Sequence, residues 1–318
     1  MGTLLAVSPP PETASSGPLG VLAVSSNKGG VGKTTLVTNL SIYMRALRES
    51  LPVAVVGLDD QRVIDRMFAL RTLGPMEGNL KHGWARRNLD DVLQVGEYGV
   101  HFVPSPPEVG MLKVRAEDPH TLNRILQATT WDGVFVLDTK SDLEALTRNA
   151  WFAADRVLVP VADRSSLEEA GKLLALMERA RLPQSRARIV LTLADRRSRA
   201  GARPLVEQLV EEVDRRGWPR YETTLSRSPR VEALNSGSGR PLSILHHARG
   251  TAIHSELREL TREVLRDLDG LPASGNGLES AVLWGKRHDA VGPRPESGRD
   301  TEKVHRLQPR TPGRHRRS

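Results

Sequence analysis

Cysteine is absent from the 318 residues. That excludes disulfides, thiolate metal sites and iron–sulfur ligation, and it is compatible with a reducing cytosol. No apolar run approaches the roughly 20 residues of a membrane span. The N-terminus has neither a basic region nor a long apolar stretch, so it does not read as a secretory signal. Met1-Gly2 is followed by Ala6 where a myristoylation signal requires Ser or Thr. No internal repeat is visible. The expectation from these absences is a soluble, cytoplasmic protein.

What is present is a moderate excess of basic charge. Lys and Arg number 46 against 38 Asp and Glu, a net +8 that favours polyanionic partners. The chain is long enough to bury a substantial core, as two domains or one large α/β domain. Short apolar runs alternate with helical patterns of ten to fifteen residues. The runs are Val21–Val24, Val53–Leu58, Val100–Pro104, Val134–Leu137, Val157–Val161 and Ile189–Leu193. This alternation predicts a mostly parallel sheet covered by helices on both faces. Helices are expected after the first run, over Thr121–Leu126, from Asp142 to Ala153, from Ser165 with its serine caps, and in a last amphipathic stretch closing near Gly270. Asn88 or Asp90 could cap another short helix containing Val92 and Leu93.

Between the first strand and the first helix lies Ser25-Ser26-Asn27-Lys28-Gly29-Gly30-Val31-Gly32-Lys33-Thr34-Thr35. Strand, glycine-rich loop and helix form the setting in which a phosphate-binding loop makes physical sense. Glycines let successive backbone N–H groups curl around an anion, and the helix adds its positive dipole end. Lys33 is placed to reach the β- and γ-phosphates, and the Thr34 hydroxyl to ligate Mg²⁺. Asn27 occupies the place of the motif's first glycine, and a second lysine, Lys28, precedes Gly29-Gly30.

Two carboxylates follow strands. Asp59 ends the second apolar run, in the crevice where open α/β sheets bind ligands, although a strand-end carboxylate can equally cap the next helix. Asp138 ends Val134-Phe135-Val136-Leu137, the pattern of a Walker B strand whose carboxylate holds Mg²⁺. Thr139-Lys140-Ser141-Asp142 also matches the guanine-reading [NT]-K-x-D signature. A GTPase of that type needs an earlier D-x-x-G, and none occurs between Thr35 and Asp138. If Asp138 ligates metal, Asp142 cannot also face a base, so ATP is the expected nucleotide.

Lys28-Gly29-Gly30-Val31-Gly32-Lys33-Thr34-Thr35 resembles the deviant Walker A loop of the ParA/MinD ATPases. The resemblance runs over about residues 20 to 270, between a flexible leader (1–19) and a disordered basic tail (271–318). It implies a single ATPase domain, ATP and Mg²⁺ as cofactors, and a nucleotide-sandwich homodimer in which Lys28 reaches the partner's nucleotide. Gly57-Leu58-Asp59-Asp60-Gln61 is similar to the family's D-x-D-P-Q segment. There Asp59 falls on the second aspartate, which helps position the attacking water, while Gly57 and Asp60 replace the first aspartate and the proline. The prolines that usually follow the Walker B aspartate are replaced by Lys140-Ser141. The nucleotide-binding set implied is thus Lys28 to Thr35, with Lys28, Lys33 and Asp59 catalytic and Thr34 and Asp138 on the metal. The iron–sulfur and nitrogenase-like branches need cysteines that the chain lacks.

Arginines accumulate after residue 180, as sequence-independent DNA binding by several phosphate contacts requires. Arg196 and Arg197 lie in one basic loop. Arg227 and Arg230 lie in Ser226–Ala233, which with Gly239-Arg240-Pro241 is similar to the family's late "Pro-Arg…Glu-Ala…Gly-Lys-Pro" region. Aromatic residues do not interleave with them, which disfavours stacking on single strands. The tail holds ten Lys/Arg and five Asp/Glu, so +5 of the net +8 resides there. The resemblance therefore implies a slow, nucleoid-associated partition ATPase that binds double-stranded DNA nonspecifically and is stimulated by a ParB-type partner. The rival is a MinD-like membrane-cycling ATPase that uses Leu278, Val282, Leu283 and Trp284 of the tail as a membrane-seeking helix.

Overall fold

A computed structural model describes residues 18–59, 62–74, 77–195, 203–235 and 240–271. The leader through residue 17, Arg196, Arg197 and the tail from residue 272 lie outside the described residues.

Seven strands form one sheet: β1 (Gly20–Val24), β2 (Val53–Gly57), β3 (Gln94–Val95), β4 (His101–Val103), β5 (Val134–Asp138), β6 (Arg156–Val161) and β7 (Ala187–Leu191). Their order is β3-β4-β2-β5-β1-β6-β7, parallel throughout except for the edge pair β3–β4. Every residue of β1, β2 and β5 is buried, because a central parallel strand is covered on both faces. The pleat divides their side chains between two cores. Val21 and Ala23 join one, and Leu22 and Val24 the other.

On the first face lie α3 (Leu80–Arg86), α4 (Thr121–Gln127), α5 (Ala145–Ala153), α6 (Arg164–Arg179) and α7 (Leu205–Arg215). On the second lie α1 (Lys33–Leu47), α2 (Val63–Phe68), α8 (Pro229–Asn235), α9 (Ile244–His247) and α10 (Ala252–Asp269). The α/β architecture expected from the alternating pattern is the one found.

Several local expectations differ. The helix expected around Val92 and Leu93 is a turn; the helix in that region is α3, capped by Asn79, whose side chain accepts from the Lys81 N–H at 3.1 Å. The cap of α6 is Asp163 rather than a serine, with Ser166 completing the reciprocal box. An aspartate two residues before Ser165 competes better for the orphan amides because its carboxylate also carries charge. Asp142 lies outside α5, its carboxylate accepting from the Glu144 N–H (3.1 Å) and the Thr147 hydroxyl (2.8 Å).

α10 is tied to the start of β6 and β7, at the end of the strands away from the glycine-rich loop. Asp267 accepts two bonds from Arg156 at 2.9 Å, one from Arg188 at 3.2 Å and one from the Tyr221 hydroxyl at 3.0 Å. Burial opposes its charge, yet these cations and donors hold the Asp267 carboxyl below its ordinary range. At the other end of α10, Asn39 of α1 accepts from the Ile244 N–H of α9 at 2.9 Å. The helices that back the loop are therefore anchored by polar bonds as well as by packing.

Candidate nucleotide-binding site

The C-terminal ends of three central strands stop level with one another. Asp138 of β5 is in register with Val24 of β1 and Gly57 of β2. In an open α/β sheet the loops leaving such ends line the ligand crevice. From Val24 the chain turns through Ser25–Gly32 and enters α1. Gly30 (φ 75°) and Gly32 (φ 89°) sit in the left-handed region, where a side chain would be strained. Gly32 is also the N-cap of α1, without a side-chain cap and with no acidic residue in the first turn. The helix thus keeps its leading N–H groups and its positive end for an anion.

The loop is held from outside. Ser25 accepts from the Trp151 indole at 2.9 Å, and the Val31 carbonyl accepts from the Thr192 hydroxyl at 2.9 Å. Asn27, in the place of the motif's first glycine, donates its amide to Glu169 of α6. These bonds fix a backbone that would otherwise lose much entropy on ordering.

Lys33 is buried, and its Nζ donates to the Lys28 carbonyl (3.3 Å) and to Ser141 Oγ (2.5 Å). Burial lowers its pKa, against the pull of Asp138, Asp59 and Asp142. Asp138 is fully enclosed. Burial pushes its carboxyl up to about 7, with the Asp59 charge adding to the rise and the Thr34 hydroxyl bond and Lys33 opposing it. Oδ1 of Asp138 has no hydrogen-bond partner. A buried carboxylate oxygen without a partner, beside a threonine hydroxyl, is a hard oxygen pair that fits Mg²⁺. Among the described residues no cluster of three or more His, Cys, Asp or Glu surrounds it. Magnesium does not need one, since water and phosphate oxygens complete its shell.

A cleft of about 390 Å³ opens beside the loop. One wall is Gly30–Gly32 with Thr35 and Leu36; the other is the exit of β7, the Leu225–Ser228 segment and one side of α8. Ile244, Ile253 and Leu257 contribute apolar surface. Leu193, in this wall, has φ 52°, a conformation uncommon for a non-glycine residue.

Comparison with known proteins identifies the architecture. A family model described as an AAA domain matches residues 19–186. The chromosome-partitioning ATPase Soj of Thermus thermophilus is 32% identical over 253 residues, covering 77% of this chain and 94% of its own. The chain belongs to the ParA/MinD family of P-loop ATPases. It is accordingly an ATPase. The chromosome partitioning protein ParA of Caulobacter vibrioides is 29% identical over 278 residues, covering 79% and 96%. Among solved structures, a plasmid partition protein of Borrelia burgdorferi bound to AMPPNP superposes with a TM-score of 0.62 at 17% identity, covering 79% and 99%.

The positions singled out by the ParA/MinD resemblance fall into three groups. Gly29 to Thr35, Asp59 and Asp138 lie about one crevice, the charge of Asp59 acting on both Lys33 and Asp138. Lys28 stands apart as the second group, its Nζ bonded to both oxygens of Asp163 at 2.8 and 3.0 Å. Burial would raise the Asp163 carboxyl, but Lys28 and the Ser166 bonds outweigh it and hold the carboxyl below its ordinary value. At Gly57, which replaces the first aspartate of the family's segment, an added Cβ would lie 3.3 Å from Ile64 Cγ1 and 3.6 Å from Ser105 Oγ. α2 has closed over the place where that carboxylate would project.

The third group is the basic surface. Arg227 and Arg230 are exposed, on or beside α8, and Arg227 pairs with Glu232 at 2.8 Å. Much of the remaining arginine density is neutralised locally: Arg203 pairs with Glu211, Arg215 and Arg216 with Glu212, Arg220 with Asp214, and Arg240 with Glu97. Charge counting along the chain does not reveal such pairing. Three residues bonded to the loop were also not singled out for it from the sequence: Asp163, Thr192 and Ser141. The only available signal was position, since Ser141 and Thr192 follow strand ends. In the [NT]-K-x-D match, the Asp142 carboxylate is engaged by the Glu144 N–H and the Thr147 hydroxyl, and Ser141 by Lys33.

Proposed function

We propose that this ParA/MinD-family ATPase is a DNA-partition protein that cycles between nucleotide-bound dimers and free chains. ATP lies with its phosphates in the Gly29–Thr35 loop and its adenine in the apolar cleft beside β7. Lys33 neutralises the β- and γ-phosphates. Thr34 and Asp138 hold Mg²⁺, which when bound neutralises phosphate charge. Asp59 orients the attacking water, and positioning with electrostatics supplies most of the rate. Names of the relatives from Thermus and Caulobacter, both chromosome-partitioning proteins, support the cellular role.

The observation that carries the reading is the second lysine. Its Nζ is bonded to Asp163, the cap of α6, a carboxylate that is itself 45% exposed. An ion pair so accessible to water is worth about 0–1 kcal/mol. A partner's triphosphate, with several charged oxygens, outcompetes it at small cost. ATP would therefore hold two chains face to face, each Lys28 on the other's phosphates. The dimer would bind double-stranded DNA nonspecifically through Arg230 and Arg227, with Arg196, Arg197 and the basic tail adding phosphate contacts. Hydrolysis, slow until a ParB-type partner stimulates it, would release the DNA. Such a protein works in the cytoplasm, on the nucleoid.

Light scattering with chromatography tests the dimer. Wild type should double its mass with ATP and Mg²⁺ but not with ADP, and Lys28→Ala should stay monomeric while still binding ATP. A Lys28→Ala protein that dimerises as wild type does would overturn the cross-subunit role.

A further inference from the structure

Ser141 lies three residues beyond Asp138, in the loop where Lys140-Ser141 stand in place of the family's prolines. A proline carries neither a hydroxyl nor an N–H, so what this side chain does belongs to this chain. Its Oγ sits 2.5 Å from Lys33 Nζ, the ammonium whose other bond goes to the Lys28 carbonyl of the loop itself. It also overhangs the glycine turn, 3.9 Å from where a Cβ on Gly29 would be. The hydroxyl thus occupies the ground between the lysine and the loop backbone, where an oxygen of a bound phosphate would approach both.

The loop that carries it is held rather than free to swing. On one side Thr139 donates its hydroxyl to the Val24 carbonyl at 2.9 Å. On the other, Asp142 accepts from the Glu144 N–H and the Thr147 hydroxyl at the start of α5. A serine oxygen has two lone pairs and one proton that rotates to suit its neighbours. It can accept from Lys33 and donate to a phosphate oxygen at once.

We propose that Ser141 is a terminal-phosphate contact: its hydroxyl donates to the γ-phosphate of ATP while it accepts from Lys33. Without nucleotide the same hydroxyl keeps Lys33 in place. With ADP it keeps the lysine but has no terminal phosphate to meet. The residue therefore discriminates triphosphate from diphosphate, the distinction on which an ATP-driven cycle depends. This inference rests on the ATP reading of the crevice and is independent of the DNA role.

The test is equilibrium binding of ATP and ADP, with Mg²⁺, to the full chain carrying Ser141→Ala or Ser141→Thr. A hydrogen bond to a charged group corresponds to about 10- to 100-fold in affinity. Ser141→Ala should weaken ATP by that factor and ADP by less than about twofold, and raise KM for ATP. Ser141→Thr should restore the ATP:ADP ratio. Equal weakening of both nucleotides would mean that Ser141 only shapes the loop, and equal tightening that it only masks Lys33. Either result, or no change, overturns the proposal. Wild type that binds neither nucleotide would defeat the ATP reading and this inference together, whereas an unchanged ratio in Ser141→Ala defeats this one alone.

Discussion

Replacing Asp138 by asparagine removes a charge that burial already opposes. The carboxyl ordinarily titrates near 3.8 and is pushed up to about 7 in the folded chain by its enclosure. Between those values the folded state holds a proton that the unfolded state has lost. Stability must therefore fall as pH rises through this window, levelling off above about 7. Each pH unit is worth about 1.4 kcal/mol. At pH 5 roughly one unit of the penalty is already present, and by pH 8 all of it, so about 3 kcal/mol separates the two conditions as an upper figure. The amide that Asp138→Asn introduces does not titrate. Urea unfolding of wild type and Asp138→Asn, in EDTA without nucleotide from pH 5 to 8, isolates the effect. The variant should gain on wild type by up to about 3 kcal/mol across the range. Taking the difference between two pH values cancels any constant change in packing or hydrogen bonding. A stability difference that does not vary with pH would refute the reasoning. With Mg²⁺ and ATP the order should reverse, since a cation on the orphaned oxygen favours the ionised form.

Lys33→Ala should abolish ATP binding by equilibrium dialysis and with it all nucleotide-dependent behaviour. Asp59→Ala should spare ATP binding, remove phosphate release and leave the ATP-bound dimer persistent; unchanged turnover would remove Asp59 from the mechanism. Asp163→Ala deletes the cap of α6 as well as the Lys28 partner and should lower stability by about 1 kcal/mol in denaturant titration. Asp267→Ala leaves two guanidiniums, Arg156 (13% exposed) and Arg188 (19% exposed), without their carboxylate. The cost should be about 3–5 kcal/mol by the same measurement, and a loss below about 1 kcal/mol would mean that water replaces the carboxylate freely.

The sheet was legible because its central strands are buried on both faces, which leaves them as unbroken apolar runs bounded by turns. β3 was not, since Gln94–Val95 is two residues of a partly exposed edge, with no periodicity to detect. Lys33 and Thr34 stood out as candidates because a phosphate loop ties its residue types to local spacing, and Asp138 because it ends an unbroken apolar strand. Asp163 and Ser141 did not. They lie 135 and 108 residues from the lysines they touch, and only the parallel order of β1, β5 and β6 brings them there. The arginines show the opposite failure: their number was plain, but the carboxylates that neutralise many of them come from helical neighbours and from other elements. Gly57 belongs to the same class. Its departure from the family's aspartate was visible, whereas the closure of Ile64 over that place required the packing of α2.

The most direct measurement of the partition reading is duplex-DNA binding by the full chain with ATP, ADP or no nucleotide, titrated across salt. The account predicts tight, salt-sensitive binding with ATP alone, its log affinity falling steeply with log salt as several phosphates are neutralised. Binding indifferent to nucleotide, or none in any state, would contradict it.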